Sequence, residues 1–270
     1  LRIRIIFKLK NKGAVLPFHH QKQVRNFIKE VVGEDYLAEN PFINFSGLKG
    51  QTKVGREGLN YFSKRVTLIF SSGGGEFINF FLNKLFDFQH LLLGDLVLEP
   101  EYVEREYFTG KFGNSVKFLC LSPIVICNTD NVDKNKEFIH PTKDDFSDFL
   151  YESTMLRMER IGQFTPKQIS SFFKFQMVPD KHYLEKINNH DKKFARIYTT
   201  INQGMIKEVR GYTLPFALYA APEVQNFIYN CGLGELAENG FGMLDLADNK
   251  EVKREIIFEK SLKKMRINIQ

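Results

Sequence analysis

The sequence predicts an α+β protein built from two successive β-α-β-β-α-β units. Three observations carry this. Period-2 apolar runs and period-3.6 runs recur twice in that order. The stretch Gly110-Lys111-Phe112-Gly113-Asn114 interrupts the pattern between the two sets. A chain of 270 residues with 43% hydrophobic content can bury a proper core.

The elements follow in order. Arg2-Ile3-Arg4-Ile5-Ile6-Phe7 alternates and reads as a strand. A Lys/Asn/Gly loop closed by Pro17 leads into HHQKQVRNFIKEVV. There Val24, Phe27, Ile28 and Val31 form one helical face, and Gly33 stops the helix. Residues 42–46 and 61–70 read as strands on either side of a basic hairpin, GLKGQTKVGREG. A Ser/Gly turn precedes a helix over 76–86, and 91–107 is extended. This order is ferredoxin-like, the RRM-like arrangement.

The second unit opens with an apolar strand over 116–127, interrupted by Ser122-Pro123. The polar loop NTDNVDKNKE and a helix over 144–160 follow. Strands over 194–201 and 205–218, joined by Asn202-Gln203-Gly204, lead to a helix over 222–229 with Pro at its start. A glycine stretch, CGLGELAENGFGML, and a strand over 243–246 end the unit. The expected domains are residues 1–109 and 110–248. The charged tail 249–270 reads as an added helix, a strand or a partner-binding arm.

A net charge of +6 and a pI near 9.0 favour an anionic partner, nucleic acid before membrane. The positive charge is biased toward the N-terminal part, in residues 1–30 and 49–65. Of 27 Phe and 10 Tyr most belong in the core, leaving a few exposed rings to stack on bases. Cys120, Cys127 and Cys231 stand apart without zinc spacing and read as buried free thiols. No apolar run approaches the roughly 20 residues needed to cross a bilayer, and LRIRIIFKLK reads as a strand, not a signal peptide. A cytoplasmic protein with no membrane partner is expected.

The glycine stretch places Gly232, Gly234, Gly240 and Gly242 in the pattern G-h-G-x5-G-h-G (h, apolar) between the last helix and last strand. That position and spacing resemble the C-terminal glycine-rich loop of CRISPR-associated RAMP proteins. PFHHQ before an amphipathic helix, the hairpin SGLKGQTKVGREG and the strand FLCLSPIVI resemble corresponding parts of the Cas-six family, the repeat-processing endoribonucleases. The resemblance covers roughly residues 1–247. It implies tandem ferredoxin-like domains and binding of CRISPR repeat RNA within precursor crRNA. It also implies cleavage without a metal or other cofactor. The 2′-hydroxyl attacks the adjacent phosphorus, leaving a 2′,3′-cyclic phosphate and a 5′-hydroxyl. Other CRISPR effector subunits are further candidate partners, and the protein itself is expected as a monomer or homodimer.

Histidine suits the proton transfers because its pKa lies near working pH. The family's usual histidine just beyond the first helix has no counterpart in Asp35-Tyr36-Leu37-Ala38-Glu39-Asn40. His20 is therefore the first candidate base and His19 the second, at a helix N-terminus suited to phosphate. Tyr36 and Lys49 are candidate helpers. Lys22, Arg25, Lys29, Lys49, Gln51, Lys53 and Arg56 are candidate RNA contacts, with the four glycines allowing close approach. Arg2 and Arg4, on one face of the first strand, add to that set. The alternative is a non-catalytic RNA-binding RAMP subunit of an interference complex.

Overall fold

The computed structural model describes residues 1–126, 139–189, 195–202 and 205–260. Cys127, the loop 128–137, His190, Gln203, Gly204 and the last ten residues of the tail lie outside them. The chain divides into two compact units. The first holds Leu1–Thr109, Glu238–Gly240 and Val252–Gln270, and the second holds Gly110–Ala237 and Phe241–Glu251.

The first unit begins with β1 (Arg2–Leu9), whose alternate residues Ile3, Ile5, Phe7 and Leu9 are buried. Then come β2 (Val15–Leu16), α1 (Gln21–Val32), the short α2 (Glu34–Ala38), β3 (Ile43–Phe45), β4 (Thr52–Val54) and β5 (Leu59–Tyr61). β6 (Arg65–Ser72), α3 (Gly75–Leu85), β7 (Leu91–Leu93) and β8 (Leu96–Phe108) complete this run. The main sheet runs β8-β1-β6-β3, antiparallel throughout. With β1, β3, β6 and β8 as the four strands, this is the ferredoxin-like order 4-1-3-2. One sheet face packs on Val24, Phe27, Ile28 and Val31 of α1 and on Phe77, Phe81 and Leu85 of α3. Phe70 stacks on Phe77 and Phe81 at 5.8 and 5.1 Å between centroids. The β1–β8 register shifts between Ile6 and Phe7, opposite Pro100. Proline has no N–H to give a ladder, so a bulge suits it.

The second unit contains β9 (Ser115–Cys120), β10 (Ile124–Val125), α4 (Asp144–Arg160), α5 (Pro166–Ser171), β11 (Phe175–Pro179) and α6 (Lys181–Asn189). β12 (Ala195–Asn202), β13 (Met205–Tyr212), β14 (Phe216–Ala220), α7 (Pro222–Cys231) and β15 (Leu244–Leu246) follow. Its four-stranded sheet runs β11-β14-β9-β15, again 4-1-3-2 with the strands taken in spatial order from the other edge. Two sequence expectations are corrected here. The strand expected over 194–201 and most of that expected over 205–218 form a long hairpin, β12–β13, in a separate sheet with β10, and the end of the second belongs to β14. The second and third strands of the main sheet are β11 and β14 instead. The strand expected over 116–127 is two strands in two sheets, because the chain turns at Ser122-Pro123. There the Ser122 hydroxyl accepts a hydrogen bond from the Met243 amide at 2.8 Å.

The tail contributes β16 (Val252–Glu259), which pairs with β8 and widens the first unit's sheet. Phe258 packs on Phe86 at 4.1 Å between centroids. Among the described residues no helix is long and apolar enough to cross a membrane.

Candidate nucleic-acid interface

The N-terminus of α1 is joined to the basic hairpin by one buried side chain. His20 occupies the N-cap position but does not cap the helix, and the first turn carries no acidic residue. The His20 Nε2 lies 3.1 Å from the Leu48 amide, which can only donate, so Nε2 is the bare nitrogen. Nδ1 then carries the proton and donates to the Pro17 carbonyl at 2.9 Å. Burial lowers the pKa of His20, with the Pro17 bond opposing and His19 adding to the effect. A neutral ring with both nitrogens engaged has no lone pair to offer a 2′-hydroxyl. That argues against His20, the first candidate base, whose ring instead ties the Leu48 amide to the Pro17 carbonyl.

The far side of Leu48 is held equally firmly. The buried Tyr61 hydroxyl donates to the Leu48 carbonyl at 2.7 Å, and burial pushes its pKa up to about 12. Gly47 permits the approach, since a Cβ there would lie 2.9 Å from the His20 Nε2. Lys49 follows, its amide and carbonyl both bonded to Thr67 at 2.8 Å. The structure therefore brings His20 and Lys49 onto adjoining segments, with His19 next to His20 in the chain. It does not bring Tyr36. Its ring packs on Phe77 and Phe80 beyond the C-terminal end of α1, a helix of 12 residues and about 18 Å.

The candidate cations divide sharply. Lys22, Lys53 and Arg56 are exposed, as is Gln51. Lys29 is exposed but pairs with Glu34 at 2.7 Å. Arg25 is half-buried and donates to the Glu238 carbonyl at 2.6 Å, holding the glycine-rich segment of its own unit. Arg2 and Arg4 are engaged within the sheet. Arg2, 1% exposed, meets Glu106 at 2.7 Å, and Arg4 meets Glu104 at 3.2 Å. Burial pushes the Glu106 carboxyl up, but Arg2 and Arg254 outweigh it and hold its pKa below the usual carboxylate range. Lys8, Lys10 and Arg65 likewise face Glu101 or Glu99. Most of the charge at the start of the chain is balanced by glutamates of β8, about a hundred residues away.

The glycine stretch serves the fold first. Gly232, Gly234, Gly240 and Gly242 all have φ between 68° and 82°. A Cβ on Gly240 would enter the Phe45 ring, and one on Gly242 would strike the Leu233 carbonyl. The amides of Leu233, Glu235, Phe241 and Gly242 donate to carbonyls of the protein. Arg157 of α4 donates to the carbonyls of Cys231, Gly232 and Gly234. Sequence reasoning missed Arg157 because nothing near it in the chain reveals partners more than seventy positions on.

These features define a tandem ferredoxin-like protein with a basic hairpin rooted at a helix N-terminus. The model of the family "CRISPR associated protein Cas6, C-terminal" matches residues 104–246, so the chain belongs to the Cas6 family. The chain is similar in structure to a RAMP protein binding different RNA substrates, at 22% identity and TM-score 0.74, over 92% of this chain and 99% of that one. It is also similar to a Cas6-related protein from Pyrococcus furiosus, at 21% identity and TM-score 0.74, over 93% and 99%. A further CRISPR-associated Cas6 protein aligns at 18% identity and TM-score 0.71, over 92% and 99%. At such identities the likeness carries the fold. No curated protein sequence matches the chain.

Proposed function

We propose that this chain binds CRISPR repeat RNA through the hairpin and the α1 N-terminus, and cuts it there without a metal. The observation that supports this is the His20–Leu48–Tyr61 lock, which fixes the Lys49 backbone next to the segment that carries His19. His19 takes the 2′-proton, and the 2′-oxygen attacks the adjacent phosphorus. Lys49 and the α1 amides offset the charge of the pentavalent phosphorane. The 5′-oxygen takes a proton from water as it leaves, giving a 2′,3′-cyclic phosphate and a 5′-hydroxyl. Acid–base help of this kind is worth roughly 10²–10⁴-fold.

A second reading has its own support. With His20 engaged at both nitrogens and no histidine over 34–40, the chain also fits an RNA-holding member that does not cut. One experiment separates them: an end-labelled repeat RNA incubated with the protein in EDTA, beside His19→Ala and Lys49→Ala. The first reading expects a single cut ending in a cyclic phosphate, lost in both variants. Tight binding with no cut in any buffer would establish the second.

A further inference from the structure

Among the described residues only two phenylalanines are exposed, Phe62 at 42% and Phe173 at 69%. Their settings differ. Phe173 neighbours Lys174 beside a hollow that Asp144 and Asp148 also line, a poor place for a phosphate. Phe62 directly follows β5 in the basic hairpin. Its backbone is fixed by a hydrogen bond from its amide to the Gln51 carbonyl at 2.9 Å. The Lys53 ammonium sits over its ring, 5.2 Å from the centroid. Arg56 and Lys64 lie near it in the chain, Lys12 precedes Gly13, whose amide donates to the Tyr61 carbonyl, and Glu57 is the one acid between residues 49 and 65.

An exposed ring covered by an ammonium combines what a single nucleotide needs. The π-face accepts a base, and the cation moves aside to the phosphate that arrives with it. We propose that Phe62 and Lys53 form a nucleotide-binding element that stacks one unpaired base of the RNA and pairs with its phosphate. This rests on the RNA reading above and adds the residue that distinguishes unpaired from paired RNA. Stacking tolerates any base, since each has a π-face, but a base inside a duplex has no free face to give.

The chain contains no tryptophan, so Phe62→Trp installs a single indole at the site, which can be excited apart from the ten tyrosines. The experiment titrates this variant with the repeat RNA, with a single-stranded oligouridine and with a fully paired duplex. Labelled-RNA binding is measured alongside for wild type, Phe62→Ala, Phe62→Leu and Lys53→Ala. The indole emission should fall on binding repeat RNA and oligouridine and stay constant with duplex. Phe62→Ala and Phe62→Leu should each weaken binding about 5- to 150-fold with the salt dependence intact. Lys53→Ala should flatten the salt dependence by about 0.7 in slope. Unchanged indole emission while labelled repeat RNA binds, or full affinity in Phe62→Leu, would sink this element alone. Absence of RNA binding by the wild type would overturn the functional reading and this element together.

Discussion

β1 and the β4–β5 hairpin look alike in sequence, since both are short runs dense in Lys and Arg. Their charges meet different ends. On β1 and just past its end, Arg2, Arg4, Lys8 and Lys10 each stand in an ion pair with a glutamate of β8. On the hairpin, Lys53 and Arg56 are exposed and stand in no ion pair among the described residues. The first set is part of the sheet's own structure; the second is available to an outside anion. Local charge density therefore does not mark charge open to an outside anion, whereas the absence of an ion partner does.

The largest test of that contrast is Glu106→Ala. It removes the carboxylate from the Arg2 guanidinium, 1% exposed, and should cost about 3–5 kcal/mol in urea unfolding. Lys53→Ala should lie within about 0.5 kcal/mol of wild type. Equal costs would erase the distinction. Next comes the hairpin's root. His20→Ala leaves the Leu48 amide and the Pro17 carbonyl unpartnered. It should cost about 1–3 kcal/mol for each group that water does not reach, read from the same unfolding curves.

The pH profile should sharpen the comparison. The folded pKa of His20 is lowered from 6.5, so below that pH the unfolded chain binds more protons. Its contribution is full above 6.5 and is lost as pH falls below it. The glutamates act lower. Hydrogen bonds from Lys10 and then Lys260 hold Glu99 at about 2 rather than 4.5, and Arg65 holds Glu101 below 4.5. Their contribution is full above 4.5 and is lost as pH falls toward 2. His140, also lowered, acts in the upper window, so the measurement is a difference. Thermal midpoints of His20→Gln should lose part of the decline that begins below 6.5 and keep the decline below 4.5. A profile identical to wild type would remove His20 from that window. The smallest effect is on RNA affinity. Arg56→Ala should flatten the dependence of log K on log salt by about 0.7–0.9, and Arg65→Ala, bidentate with Glu101, should not change it.

The first unit is legible because its cues are local. Alternation marks β1, and the Val24/Phe27/Ile28/Val31 face marks α1. β11 offers no such cue. Phe175–Pro179 is five residues interrupted by Gln and closed by Pro, and its place is set by pairing with β14 across the β12–β13 insertion. The more regular hairpin strands drew the assignment away. The site was legible as a region and not as roles. The ring nitrogens of His20 are committed by Leu48, 28 positions on, and Arg2 by Glu106, 104 positions on. No spacing rule reaches so far. The glycines were legible as a position between α7 and β15. Their packing against Phe45 and Leu233 was not, because it depends on three-dimensional neighbours.

The pairing of β16 with β8 has a consequence for synthesis. Residues 1–109 leave the ribosome long before Val252–Glu259 exists. At about 5–20 residues per second, adding residues 110–251 takes roughly 7–30 s. Throughout that interval the nascent sheet has an open border where β16 will later sit, a ready template for another unfinished chain on the same messenger. The glutamates along β8 do not guard it by repulsion, because Arg2, Arg4, Lys10 and Arg65 of the same unit already meet them. Arg254 and Lys260 then bring a further cation to Glu106 and Glu99, so the border closes on β16 with charge contacts that another copy of β8 lacks.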